Sequence, residues 1–266
     1  MQISELGDIA GPVAVYGGPC SNAHAVRRLF DLCDAWGVAK GARISTGDVV
    51  GYAAQPAESV ALVRARGGPV VAGNVERQLA AAADTCGCGF GEGTTCAVLA
   101  EDWYAFARRQ IGAEARRWME ALPDVVTFAQ AGRRFAALHG GVTDIARFLW
   151  PVSPGKDFAT EIEALERAVG PVDVILAGHA GIPFRKTVGR HLWVNAGNVG
   201  MPANDGRPET AFAMVEGGEV RILRLGYDWA AAQATMRARG VAPAYAEALG
   251  TGWWPSEEVL PPAMRR

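Results

Sequence analysis

Apolar residues along the chain fall into two rhythms. Short unbroken runs bounded by Gly or Pro alternate with stretches in which apolar positions recur every three to four residues. Val13 to Tyr16 is the first run, and apolar positions then follow at helical spacing from Ala25 through Leu29, Leu32 and Trp36. The unit repeats. Ala42 to Ser45 feeds the loop TGDVVGY and a helix near Ala57 to Arg66, and Pro69 to Ala72 feeds the loop GNVE and another helical start. Short buried strands alternating with helices predict a parallel sheet. Residues 80–122 open with the irregular run DTCGCGFGEGTTC and continue as alanine-rich helical sequence, which reads as an insertion carrying one or two helices. Strand patterns resume at Val125 to Phe128, Arg134 to Leu138 and Val172 to Ala177, with a helix from about Phe158 to Val169 before the last of them. From Phe184 to Leu225 the chain is β-rich, and the Gly217-Gly218 pair predicts a hairpin. Residues 227–266 read as a helical and then extended packing arm containing Trp and Pro, and no repeat or linker divides residues 1–266, so one domain is expected.

Half of the 266 residues are hydrophobic, enough to bury a full core. Charged residues make up 20 %, the net charge is -2 and the cations are scattered, so neither a nucleic-acid stripe nor a membrane surface is indicated and a small-molecule ligand is expected. The sequence shows no signal-peptide pattern and no membrane-length apolar stretch, which points to the cytoplasm. Five cysteines are an odd number in a chain too large to need disulfide staples, and thiols or metal ligands are the expectation.

In open α/β sheets ligands gather at the carboxyl ends of strands. The polar, Gly-rich segments after the predicted strands bring Cys20 and Asn22, Asp48, Asn74 and Glu76, His139, and His179 toward one edge. A carboxylate, an amide oxygen and two imidazoles suit zinc, manganese or iron, and metal-assisted hydrolysis is the usual work of such a set.

The order GD (Asp48), GN (Asn74), HGG (His139), GH (His179) and then NAGNVG resembles the calcineurin-like metallophosphoesterases, especially their small bacterial phosphodiesterase branch, from Val13 to about Leu225. The resemblance implies two β-sheets sandwiched between helices, a four-layer α-β-β-α arrangement, with two metals bridged by an aspartate. Asp48 matches that aspartate, and Asn74, His139 and His179 match the remaining protein ligands of the second metal. Where the family has an Asp-x-His pair and a further His for the first metal, this chain has Gly18, Cys20 and Gly181, and Val75 stands in place of a proton-donating His. One divalent transition metal (Mn, Zn or Fe) per chain, held by Asp48, Asn74, His139 and His179, is therefore expected. The implied activity is phosphomonoester or phosphodiester hydrolysis on a small, nucleotide-like substrate, with a metal-, redox- or phospho-ligand-binding regulatory module as the alternative.

Other residues stay open between roles. Cys20 is either a thiolate ligand that helps rebuild a second site or a small buried thiol. Cys86, Cys88 and Cys96, spaced C-x-C-x7-C, are either ligands of a further metal or redox-exposed thiols. Asn22, His24, Arg147 and Arg185 are candidates for substrate contact, Lys186 lies beside the last of these, and His191 is expected to be structural.

Overall fold

A computed structural model describes residues 1–266. Ten strands form two sheets: β1 (Ile3–Asp8), β4 (Val125–Gln130), β5 (Arg133–Ala137), β6 (Val174–Ala177), β8 (His191–Asn195) and β7 (Phe184–Val188) in one, in the order β1-β4-β5-β6-β8-β7, and β10 (Glu219–Leu225), β9 (Thr210–Glu216), β2 (Val13–Tyr16) and β3 (Arg43–Ser45) in the other, in the order β10-β9-β2-β3. The helices are α1 (Ala23–Ala35), α2 (Pro56–Arg66), α3 (Asn74–Ala80), α4 (Thr95–Gln110), α5 (Ala113–Glu120), α6 (Gly155–Val169), α7 (Trp229–Arg239) and α8 (Pro243–Thr251).

Strand alternation explains the layering. Phe135 and Ala137 of β5 and Val174 and Leu176 of β6 face the core shared with Val13, Val15 and Phe212 of the smaller sheet. Their neighbours Ala136, Leu138, Ile175 and Ala177 point the other way, onto Phe158, Ile162 and Leu165 of α6. Two sheets flanked by helices is the architecture the resemblance implied.

The sheets are mixed, which corrects the expectation of a parallel sheet: β2 and β3, β5 and β6, and β6 and β8 are parallel, whereas β4–β5, β7–β8, β2–β9 and β9–β10 are antiparallel. Tight turns force three of the antiparallel pairs, β4–β5, β7–β8 and β9–β10, as at Gly217 (φ +58°) and Gly218 (φ +80°) between β9 and β10. Residues 69–72 are not a strand; Val70 makes a single bridge to Ser45. The strand β1 carries Glu5 and Asp8 and is mostly exposed, so it has no apolar run to announce it. Residues 80–122 hold the rest of α3, an irregular cysteine loop, α4 and α5. Beyond α8 the chain runs extended across the carboxyl ends of the strands, where Trp254, Val259 and Leu260 pack with Trp150 and Ala180. No helix is long and apolar enough to cross a membrane.

Candidate metal centre

Every loop that carries candidate chemistry leaves the carboxyl end of β2, β3, β5, β6 or β8 or of the extended 69–72 segment, so the parallel strands deliver the site and the antiparallel ones frame it. Asp48 follows β3 with φ +52° and His179 follows β6 with φ +58°, a left-handed backbone that costs free energy in non-glycine residues and clusters where geometry is functional. Gly47 permits the close approach: a Cβ there would lie 2.6 Å from the Gly73 nitrogen and 2.9 Å from His139 Nδ1.

Two buried carboxylates clamp these loops. Glu76 accepts from the backbone N–H of Asp48 at 2.8 Å, Val49 at 2.9 Å and Gly73 at 2.9 Å. Burial, and then the charge of Asp48, push its carboxyl up to about 7. Glu161 of α6 accepts from Val142 N–H at 2.6 Å and Thr143 N–H at 2.9 Å and pairs with Arg147 at 2.9 Å, which pins the loop after His139. The second glycine of HGG follows from this clamp, because a Cβ on Gly141 would sit 2.8 Å from Glu161 Oε2.

The side chains converge with their lone pairs inward. His139 Nδ1 donates to the Thr46 carbonyl at 2.6 Å, which leaves Nε2 facing Asn74 Oδ1 at 2.9 Å, His179 Nδ1 at 3.1 Å and Asp48 Oδ2 at 3.4 Å. Asn74 is turned by its own amide, whose Nδ2 donates to the Cys86 carbonyl at 3.0 Å. Asp48, His139 and His179 each offer a ligand atom within 4.8 Å of the others, and Asp48 Oδ1 is buried with no hydrogen-bond partner. Four acceptors meeting at one point require a cation or a proton between them. Burial works to strip the proton from His139, but the charge and hydrogen bond of Asp48 outweigh it and hold the imidazole above its ordinary value. Burial also works to raise Asp48, and His139 and His179 pull it below the usual carboxylate value. His179 is lowered to about 3 by burial and then by His139, so it keeps a free lone pair. A divalent ion competes for the place of that single proton, and the oxygen and nitrogen donors fit a transition metal.

The other half of the site is filled by protein. Against Gly18 lies the Asn198 amide, 2.7 to 2.8 Å from where a Cβ would be, with Nδ2 donating to Cys20 Sγ at 3.3 Å and Oδ1 accepting from Gly200 N–H at 2.9 Å. Against Gly181 lies the Trp254 ring, 3.3 Å from the position of a Cβ, and its indole N–H donates to the Pro202 carbonyl at 2.8 Å. Cys20 is a buried thiol whose pKa burial, and then the Asp48 charge, raise well above the ordinary value.

Several expected contacts are directed elsewhere. Asn22 caps α1, accepting from Ala25 N–H at 3.1 Å and donating to Gly200 and Tyr227. His24 meets Thr235 of α7 at 3.2 Å. Arg147 is spent on Glu161, Arg185 is exposed on β7, and Lys186 donates to the Pro151 and Ser153 carbonyls. His191 meets Glu166 at 3.0 Å. Cys86 and Cys88 are joined as a disulfide and Cys96 lies buried in α4, so the three do not stand together as free thiols. Asn198, Trp254 and Glu161 escaped sequence reasoning. NAGNVG and the Trp-containing arm were visible, but nothing local linked them to Gly18 or Gly181.

The sequence matches the model of the calcineurin-like phosphoesterase superfamily domain over residues 21–218, and the chain belongs to that family. Among solved structures, a metallophosphoesterase from Sphaerobacter thermophilus is 21 % identical with TM-score 0.68, over 92 % of this chain and 100 % of that one. A hypothetical protein from Pyrococcus horikoshii OT3 is 16 % identical with TM-score 0.72, over 91 % and 99 %. No curated protein matches the sequence.

Proposed function

We propose that this member of the calcineurin-like phosphoesterase superfamily is a metal-dependent phosphoester hydrolase with a single divalent transition metal, acting in the cytoplasm on a small phosphoester. The observation that carries the reading is the inward convergence of Asp48, Asn74, His139 and His179 with an unpartnered carboxylate oxygen among them. A bound ion supplies Lewis acidity toward a phosphoryl oxygen and makes a nucleophile from water near neutral pH. The chain supplies the rest. Thr46 holds His139 in the tautomer that presents Nε2, the Cys86 carbonyl aims the Asn74 oxygen, and Glu76 fixes the backbone of Asp48. Val75 offers no proton to a leaving group, so substrates whose leaving group departs as a stable anion are favoured.

The protein-filled half of the site favours a second reading, a regulatory module that binds a metal or a phosphorylated ligand without turnover. Elemental mass spectrometry on protein purified without chelators, followed by assays on 4-nitrophenyl and alkyl phosphoesters, separates the two. About one metal per chain, lost in His179→Ala, with turnover of the aryl ester only, is the expected result. Metal without turnover leaves the regulatory reading standing, and absence of metal removes the hydrolase reading and leaves only a module that binds a phosphorylated ligand.

A further inference from the structure

Cys86 and Cys88 are joined across a single residue, in the loop between α3 and α4. A bridge that closes so short a loop removes little conformational entropy from the unfolded chain, so it does little as a staple for the whole fold. Its effect is local. The Cys86 carbonyl accepts from Asn74 Nδ2 at 3.0 Å and so turns the Asn74 oxygen toward His139. Gly89 lies against the Ala146 carbonyl of the loop that follows His139, where a Cβ would stand 3.2 Å away. Phe90 stacks on Phe148 with ring centroids 6.1 Å apart, and Phe148 lies 4.3 Å from the His179 ring. Residues 86–90 therefore bear on Asn74, on the loop behind His139 and on His179.

The bridge is also open to a reagent. A cleft of ≈ 590 Å³ of empty space lies alongside it, lined by Cys86 and Cys88 themselves and by Ala97, Ala100 and Glu101 of α4. Cys20, Cys33 and Cys96 are buried single thiols. In the cytoplasm proposed above, persistent disulfides are rare and those that form are mostly redox-active. A monothiol attacking this bridge would be expelled, because the thiolate it frees stays one residue from the mixed disulfide and closes again. A dithiol resolves the mixed disulfide with its own second sulfur.

We propose that Cys86 and Cys88 form a reversible dithiol/disulfide site, opened and closed by exchange with a dithiol couple, and that the closed form holds the metal centre in its tighter state. A thiolate of the reductant attacks one cysteine sulfur, the S–S bond breaks, and the other cysteine leaves as a thiolate that takes up a proton. The reductant's second thiol gives up its proton and displaces the first cysteine sulfur, which is protonated in turn. The chain gains an electron pair and a proton on each sulfur, the reductant becomes a disulfide, and exchange with that disulfide restores the bridge. Opening frees residues 86–90, and Asn74 loses the carbonyl that aims it. It rests on the metal-site reading above and adds a control to that site.

The test exposes protein purified without reductant to dithiothreitol or to its cyclic disulfide, removes the reagent, and alkylates under native conditions. Mass spectrometry should find new adducts on Cys86 and Cys88 after dithiothreitol, and none once the cyclic disulfide is returned. Mn²⁺, a hard ion that thiolates bind poorly, then reports the centre. Free Mn²⁺ measured by electron paramagnetic resonance should give about tenfold weaker binding to the open form, the scale on which groups that orient a metal ligand act. Cys86→Ser combined with Cys88→Ser should match the open form whichever reagent is used. A bridge that neither reagent changes, or equal Mn²⁺ affinity in the two states, overturns the proposal. A chain that binds Mn²⁺ in neither state counts against the metal-site reading alone, and the metal-free protein then decides: the Asn74 side-chain amide resonances, identified by their absence in Asn74→Asp, should shift when the bridge opens. Unchanged resonances overturn the proposal there too.

Discussion

Replacing Glu161 by Gln tests whether the loop behind His139 is held by a buried charge. The side chain is fully buried, and its four contacts are two backbone N–H groups, the Thr143 hydroxyl and the Arg147 guanidinium. Glutamine keeps the volume and one oxygen. That oxygen can retain the N–H groups of Val142 and Thr143, but those bonds drop from charged to neutral strength, about 1 kcal/mol each. Arg147 is 31 % exposed and can turn to water, so screening limits the loss of its ion pair to about 1 kcal/mol more. The sum is about 3 kcal/mol, or roughly 6 to 12 °C in Tm for a chain of this size. Thermal and urea unfolding of the metal-free protein measure it. A double-mutant cycle with Arg147→Met should return about 1 kcal/mol of coupling. A fall in Tm below about 2 °C for Glu161→Gln would refute the clamp, and His139 would then owe its position to packing alone.

Two further outcomes follow from the filled half of the site. Gly18→Asp, which installs the carboxylate that the resemblance implied at this position, should destabilise by about 2 kcal/mol because its Cβ meets the Asn198 amide; Asn198→Ala in the same chain should recover part of the lost Tm. The arm should loosen in acid. Burial works to raise Glu257, but hydrogen bonds from Arg266 and Asn204 outweigh it and hold the carboxyl below its usual 4.5. A depressed carboxyl contributes its grip above that value and loses it as pH falls through the lower folded value, so tryptophan emission should change below about pH 4.5 and not between 5 and 8.

How much of this the sequence carries depends on distance along the chain. Asp48, His139 and His179 are legible because each sits just after an apolar strand, and Asn74 because it follows the apolar extended run 69–72; such ends converge in a sheet of this kind. The strands β2, β5 and β6 are legible because their residues are almost all buried, whereas β1 hides because its side chains face water. Strand direction is not legible from burial, since a parallel and an antiparallel neighbour bury the same residues. Gly18 and Gly181 announce missing ligands but not what replaces them. Trp254 stands far from either in sequence, and its place follows from the path of α7 and α8, which no local pattern encodes. The cysteine spacing suggested a shared ligand set, yet the disulfide takes two of the three thiols and the third belongs to α4.

The arm also has a practical consequence. Arg266 grips Glu257 at 2.7 Å, Glu257 accepts from Asn204 at 2.8 Å, and Asn204 accepts the backbone N–H of Trp254 at 2.7 Å. A change at Arg266 is thus only three contacts from Trp254, which packs against Gly181 beside His179. Arg266→Ala would release the arm while leaving both sheets intact. A change at Met1, exposed just before the edge strand β1, touches none of these links.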